Sequence, residues 1–242
     1  MFLGHSTVLI EIGGVRVLTD PVLRGRLLFL RRHAAPVAVG HYAEVDAVVL
    51  SHLHHDHCDL HSLALLGRDV RLIAPDGAGG FLRKRGFRRV VTLAAGESHQ
   101  VGPVTVTATP AVHDGRREPF GPRAAAVGYL ISDGPTVAYF AGDTDLFAGM
   151  RGLCPDLDLA LIPVWGWGPN LGPGHLDPER AADAVELLRR AAPCQCTGAR
   201  CSHTGCAPSS PTGCVRPRAR SPPPSRPGDC RPRWRCSRRA AG

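Results

Sequence analysis

Apolar residues in this chain come mostly in short runs broken by Gly, Pro and charge, a pattern of strands more than of long helices. Thr7-Val8-Leu9-Ile10-Glu11-Ile12 and Val15-Arg16-Val17-Leu18-Thr19 flank Gly13-Gly14. Two β-rich runs around a Gly-Gly pair predict a hairpin, because its tight turn needs positive φ. Asp20-Pro21 ends the second run, and residues 24–43 predict a long basic loop. Asp46–Leu50 predicts a buried strand. Leu60–Leu66 predicts a short helix capped by Asp59. Arg71–Ala74 predicts a strand, and Gly79–Arg85 a helix stopped by Gly86. Further strands are expected at Val90–Leu93, Val104–Thr109, Val127–Ser132, Thr136–Ala141 and Leu157–Ile162. Asp177-Pro178-Glu179 opens a helix with a cap and a Pro at its first position, running to about Arg190. Strands with interspersed helices predict a layered α/β architecture.

Charge divides the chain in two. The 242 residues carry a formal net charge of +8. Residues 1–193 hold 19 Lys+Arg against 20 Asp+Glu, whereas residues 194–242 hold ten Arg and one acid, Asp229. The positive charge is thus a property of the tail. Seven of the nine Cys and eight of the 22 Pro also lie there, with Val215 the tail's one large aliphatic residue. Such a segment cannot bury enough apolar surface to fold alone. Residues 1–193 form one domain long enough for a sizeable core. Its lone Cys58 and Cys154 fit a reducing compartment, and a cytoplasmic location is expected. No signal-peptide pattern opens the chain, and no run approaches the ~20 apolar residues of a membrane span.

Three readings of the tail compete. A basic arm for nucleic acid would want aromatic interleaving, which is missing. A metal knuckle from Cys194, Cys196, Cys201, Cys206 and His203 would want a paired C-x2-C spacing. The preferred reading is a frame-shifted translation of GC-rich DNA. Read two bases out of register, the codon classes from Cys194 onward permit Ser/Pro, Val/Met, His/Tyr, Trp, Gly, Thr and Leu in that order.

The chemistry of the body concentrates in His52-Leu53-His54-His55-Asp56-His57, directly after the apolar run that ends at Leu50. Imidazole and carboxylate are the usual ligands for zinc and similar ions. His52 and His54 fall on one side of an extended or tightly turned segment. Asp56 and His57 follow the turn and can face a second ion. Thr109-Pro110-Ala111-Val112-His113 and Ala141-Gly142-Asp143-Thr144 each end a strand on another such residue. One ion is expected on His52, His54 and His113, and the other on Asp56, His57 and a bridging Asp143. The second set lacks one protein ligand, which a His on a following strand would supply. No such strand is expected after the helix near Arg190; the tail begins there.

In combination, L-G-H-S-T at 3–7, L-T-D-P at 18–21, H-L-H-H-D-H at 52–57, T-P-A-V-H at 109–113, A-G-D-T at 141–144 and G-H-L-D-P-E at 174–179 resemble the metallo-β-lactamase superfamily. Within it the chain is similar to the branch of L-ascorbate-6-phosphate lactonase and N-acyl-phosphatidylethanolamine-hydrolysing phospholipase D. The resemblance covers nearly all of residues 2–193. It implies a four-layer αββα sandwich, incomplete at its C-terminus, with two divalent ions at one edge. Zinc is the first choice, with manganese or iron also accepted by such ligands. In that branch a strand after the last helix ends in H-W-G-T or H-Y-G-T, and its His completes the second shell. The shifted frame permits that phrase, with the His codon straddling Cys196 and Thr197. Met1 also falls within the family's first strand.

The resemblance implies a hydrolase in which a metal-bound hydroxide attacks an ester, lactone or phosphodiester. Asp56 would orient it while ligating. His175 would bind substrate or protonate the leaving group, unless it merely leads the helix. His5 and Asp20 would stand behind the ligands as hydrogen-bonding supports. His55 and His61 are expected to face solvent or support the site, His33, His41 and His99 to lie on the surface, and Cys58 to pack. The substrate is expected to be a small molecule. Trp165–Asn170 could wall it, and arginines at 24–32 and 116–117 could hold an anionic group. Nucleic acid is not an expected partner. The alternative is a truncated domain, weakly active or inactive, that lacks its last metal ligand.

Overall fold

The computed structural model describes residues 1–28, 30–33, 35–154, 156–164, 172–188, 192–197 and 201–202. The first half runs β1 (Phe2–Gly4), β2 (Thr7–Ile12), β3 (Val15–Thr19), β4 (Arg26–Leu27), β5 (Leu30–Arg32), α1 (Val39–Tyr42), β6 (Ala47–Val49), α2 (Leu60–Leu65), β7 (Leu72–Pro75), α3 (Gly79–Lys84) and β8 (Val90–Leu93). The second runs β9 (Ser98–Val101), β10 (Val104–Pro110), β11 (Val127–Ser132), β12 (Val137–Phe140), a 3-10 turn at Ala148–Gly152, β13 (Leu159–Pro163), α4 (Pro178–Leu188), β14 (Ala192–Thr197) and β15 (Cys201–Ser202).

The expected hairpin forms. Gly13 and Gly14 take φ of 54° and 73°, and Ile12 pairs with Val15 across the turn. Alternation then sorts side chains between layers. From β2, Val8, Ile10 and Ile12 face inward with Val17, Val49 and Ile73. They meet Val106, Ala108, Tyr129, Ile131 and Phe140 of the second sheet. On the outer face, Leu9, Leu18, Val48 and Leu72 pack with Leu63 of α2 and Leu82 of α3. Beyond the second sheet, Tyr139, Ala160 and Ile162 pack with Ala181, Ala184 and Leu188 of α4. The layers are helix, sheet, sheet, helix. Each fully buried Val, Leu or Ile stabilises the stack by about 1.5–3 kcal/mol.

The two facing sheets have six strands each, ordered β1-β2-β3-β6-β7-β8 and β14-β13-β12-β11-β10-β9, and β15, β5 and β4 form a third, three-stranded sheet. β3, β6, β7 and β8 are parallel neighbours, as are β12, β13 and β14. Ala47-Val48-Val49 is buried throughout because helices and the second sheet cover both its faces. Asp59 caps α2 as expected, its carboxylate accepting from the Ser62 backbone N–H.

Three segments depart from the sequence reading. Residues 24–43 contain the short β4–β5 pair and the single turn α1. β9 was hidden by its polar Ser98, His99 and Gln100, yet its ladder with β10 forms. After α4 the backbone returns as β14, parallel to β13 from Leu159↔Ala192 to Pro163↔Thr197. A strand thus stands where none was expected and crosses residue 193. Free edge groups on β13 offer a ladder to any backbone that comes after α4. Cys206 and His203, two members of the candidate knuckle, lie outside the described residues, as does the tail beyond Ser202. No helix among the described residues is long and apolar enough to cross a membrane.

Candidate metal centre

The parallel strands deliver their C-terminal ends to one edge. β3 leads to Asp20, β6 to the His52–His57 loop, β10 to His113 and β12 to Asp143. β1 leads to His5, and the turn before α4 carries His175. All the candidate site residues converge there.

One cluster is all imidazole. His54 Nδ1 lies 2.9 Å from His52 Nε2 and 3.1 Å from His113 Nε2. The partners of the other ring nitrogens fix the tautomers. The Ser51 hydroxyl donates to Asp20 Oδ2 at 2.5 Å, so it accepts from His52 Nδ1–H at 2.9 Å. His113 Nδ1–H donates to the Gly174 carbonyl at 2.9 Å. Gly174 has φ 86°, and a Cβ there would meet His113 Nδ1 at 3.1 Å, so glycine suits this close approach. The Nε2 lone pairs of His52 and His113 therefore both face His54 Nδ1. A single N–H could satisfy only one of them, whereas a cation satisfies all three nitrogens. Burial holds the His52 pKa well below the usual imidazole range. It pulls His113 down to about 4. Both rings are thus neutral and ready to ligate at neutral pH.

The second cluster mixes carboxylates with imidazole. His57 is fully buried, and its Nδ1–H donates to Asp20 Oδ2 at 2.7 Å. Its Nε2 is buried without a hydrogen-bond partner, with Asp143 Oδ2 at 3.2 Å and Asp56 Oδ2 at 3.6 Å. Burial opposes charge on this ring, yet Asp143, Asp56 and Asp20 outweigh it and lift its pKa well above the imidazole range. Burial also opposes charge on Asp143, but His57 outweighs it and holds that carboxyl well below its usual range. With two carboxylates facing it, His57 Nε2 carries a proton, and a divalent cation suits the same place by displacing that proton. Both clusters therefore fit divalent metal by donor type. His52, His54 and His113 hold their donor atoms within 4.8 Å of one another, as do His5, Asp56 and His57, and also His113, Asp143 and His175. Asp143 thus stands between the clusters, 3.2 Å from His57 Nε2 and within 4.8 Å of a His113 ring nitrogen.

The supports are also in place. Asp20 is fully buried and accepts from His57, from the Ser51 hydroxyl and from the Ser51 backbone N–H. Burial raises its pKa, against the pull of His57 and Ser51. His5 Nε2 lies 3.1 Å from Asp56 Oδ2. His175 Nε2 stands 3.7 Å from Asp143 Oδ2, and its Nδ1 is buried without a partner. His55 lies between Arg117 and Glu118 instead of joining the cluster. His61 is exposed, and Cys58 is packed in the apolar layer with its thiol pushed up to about 12 by burial. His41 is exposed and His99 half-buried on β9.

Sequence reasoning missed Ser51, gave Gly174 no role beyond its motif, and read Arg117 as a candidate anion holder, not as a brace. Arg117 Nη1 donates to the carbonyls of Leu53 and Cys58, both at 2.9 Å, and so grips the two ends of the ligand loop. Arg24 makes two 2.8 Å bonds to Asp59. These two arginines, candidates for an anion, are engaged inside the protein. Nothing in the local sequence distinguishes such an arginine from an exposed one. Trp165–Asn170 lies outside the described residues.

Two facing mixed sheets between helices, with His and Asp gathered at the strand ends, define a metallo-β-lactamase fold. The chain belongs to the beta-lactamase superfamily domain family, whose model matches residues 15–194. An uncharacterized protein of Mycobacterium tuberculosis is 35% identical over 194 residues, covering 75% of this chain and 52% of its own. The chain thus spans about half the length of the mycobacterial relatives it matches. A protein of Deinococcus radiodurans named a metal-dependent hydrolase is 32% identical over 77% of this chain and 78% of its own. An N-acyl-phosphatidylethanolamine-hydrolyzing phospholipase D of Caenorhabditis elegans is 27% identical over 78% and 60%. Among solved structures, a metallo hydrolase of Ignicoccus hospitalis superposes with a TM-score of 0.62 at 26% identity, covering 80% of each chain.

Proposed function

We propose that this protein is a metal-dependent hydrolase acting on an ester, lactone or phosphodiester bond of a small molecule. The observation that carries the reading is the pair of donor clusters joined through Asp143, each backed by partners that fix its tautomers. His52, His54 and His113 would hold one ion, and Asp56, His57 and Asp143 the other, with zinc the first choice and manganese or iron alternatives. Bound there, divalent cations supply an activated water at neutral pH and offset negative charge that develops on the substrate. Asp56 is placed to orient the attacking water through its carboxylate. His175, a quarter exposed and 3.7 Å from Asp143, is placed to bind substrate or to protonate the leaving group from Nε2. Asp20 and Ser51 hold His57 and His52 in their ligating tautomers. The named relatives support hydrolysis, and the two lone body cysteines support a cytoplasmic setting.

A second reading has its own observation. The second cluster contains three expected ligands, and the phrase H-W-G-T or H-Y-G-T, which carries a fourth in the family branch, does not occur in the sequence. A chain that held one ion weakly would be poorly active or inactive. Metal content decides between the two. Purified full-length protein is analysed for zinc, manganese and iron, then assayed on lactones and phosphodiesters before and after chelation. Two retained ions and chelator-sensitive hydrolysis are expected; one ion or none, with no turnover on restoring metal, would establish the second reading.

A further inference from the structure

Among the described residues Asp56, His57 and Asp143 form the second set, to which the family resemblance adds a fourth protein ligand. In the family branch that ligand comes from the strand after α4. Here β14 ends at Thr197, and its backbone comes alongside β1. His5, in the turn after β1, has its donor atom within 4.8 Å of those of Asp56 and His57.

We infer that His5 completes the second metal shell in this chain, as a ligand and not only as a support. This rests on the dinuclear reading above. His5 Nε2 is 3.1 Å from Asp56 Oδ2, and its ring meets His57 edge-on with centroids 5.0 Å apart. The donor atoms of His5, Asp56 and His57 lie within 4.8 Å of one another, close enough for one ion to take all three. His175 Nε2 is 3.7 Å from Asp143 Oδ2 and its donor atoms group with His113 and Asp143, whereas His5 is the imidazole grouped with both Asp56 and His57. His5 also preserves the charge of the site, because one neutral imidazole replaces another beside two carboxylates. Its backbone is consistent with a position held for function. His5 has φ 52°, a left-handed conformation that costs a non-glycine residue stability, and Gly4 at φ 120° turns the chain into it.

The test measures zinc retained by the full-length wild type, His5→Ala and His5→Gln after equilibration with buffered zinc, alongside far-UV circular dichroism to establish folding. His5→Gln keeps a side-chain donor near Asp56 but supplies a poor ligand. The wild type is expected to hold two ions, and both variants one. The second affinity should fall by more than the roughly 10–100-fold that loss of a supporting hydrogen bond costs. Two ions in His5→Gln at wild-type affinity would make His5 a support, overturning the inference while the dinuclear reading stands. One ion in the wild type would sink both. Should the variants misfold, the cobalt-loaded wild type decides by NMR. His5 ring protons shifted far outside the diamagnetic range make it a ligand; ordinary positions refute this.

Discussion

Asp20 has no contact with solvent and makes no expected bond to metal, yet three groups of the site depend on its carboxylate. Its loss leaves His57 Nδ1–H and the Ser51 donors unpaired in a buried place, which costs about 1–3 kcal/mol per group. Asp20→Asn should therefore lower stability and weaken zinc binding by roughly 10–100-fold. Zinc competition titration and urea melts check this, and unchanged zinc affinity would remove Asp20 from the site's support. His175 is different in kind, since it touches the cleft without bracing a ligand. His175→Ala should keep full zinc content and lose about 10²–10⁴-fold in turnover; a variant that loses metal instead would make it a ligand. Cys58 tests the packing. Its pKa is raised by burial from the ordinary 9.0 to about 12. A raised thiol pKa means the folded state keeps a proton that the unfolded state gives up. Stability from this group is full below about pH 9 and falls as pH rises toward 12. Iodoacetamide at pH 8 should leave Cys58 unlabelled in the native protein and modify it after denaturation, as peptide mass spectrometry would read.

At the scale of elements, the ligand loop is braced by residues distant in sequence. Arg117, from the segment between β10 and β11, grips the carbonyls of Leu53 and Cys58 and packs over the Phe81 ring of α3. It ties the loop of the first sheet to the strand end that carries His113. Arg117→Gln should cost about 1.5–3 kcal/mol for each charge-assisted bond lost. It should speed hydrogen exchange of the amides in residues 53–58 while the core strands stay protected. Equal protection in wild type and variant would show that the grip is dispensable. The strands themselves were readable where short β-rich runs stood between turn residues, as in β2, β3, β10 and β11. β9 was not, because Ser98, His99 and Gln100 give no apolar signal, and only the ladder to β10 makes it a strand.

For the whole molecule, the text of the chain after α4 decides how the second ion is held. The body is balanced in charge, and the arginines of the tail give the chain its +8. We expect the tail to be a frame-shifted reading. Resequencing the gene across the codons for residues 185–242 should find one base gained or lost near codon 193, with H-W-G-T in the corrected text. An unaltered sequence would leave this chain dependent on His5 for its second ion. The backbone of β14 speaks to neither outcome, since a parallel ladder to β13 accepts either text.

The motifs alone placed six candidate ligands, grouped them by ion and marked His5, Asp20 and His175 as their neighbours. That was possible because strand ends carry their chemistry in consecutive residues, such as His52 to His57, and because the order of motifs follows the order of strands. Two β-rich runs around Gly13-Gly14 likewise marked the β2–β3 hairpin. Tertiary structure alone decided which nitrogen of each ring faces its cluster. The partners that set it are a hydroxyl, a buried carboxylate and a backbone carbonyl brought from other parts of the chain. It also decided the role of Arg117, the pairing of the polar β9, and the nearness of His5 to Asp56, 51 residues away. Each of these depends on distances between segments far apart in sequence, which no local pattern of residues encodes.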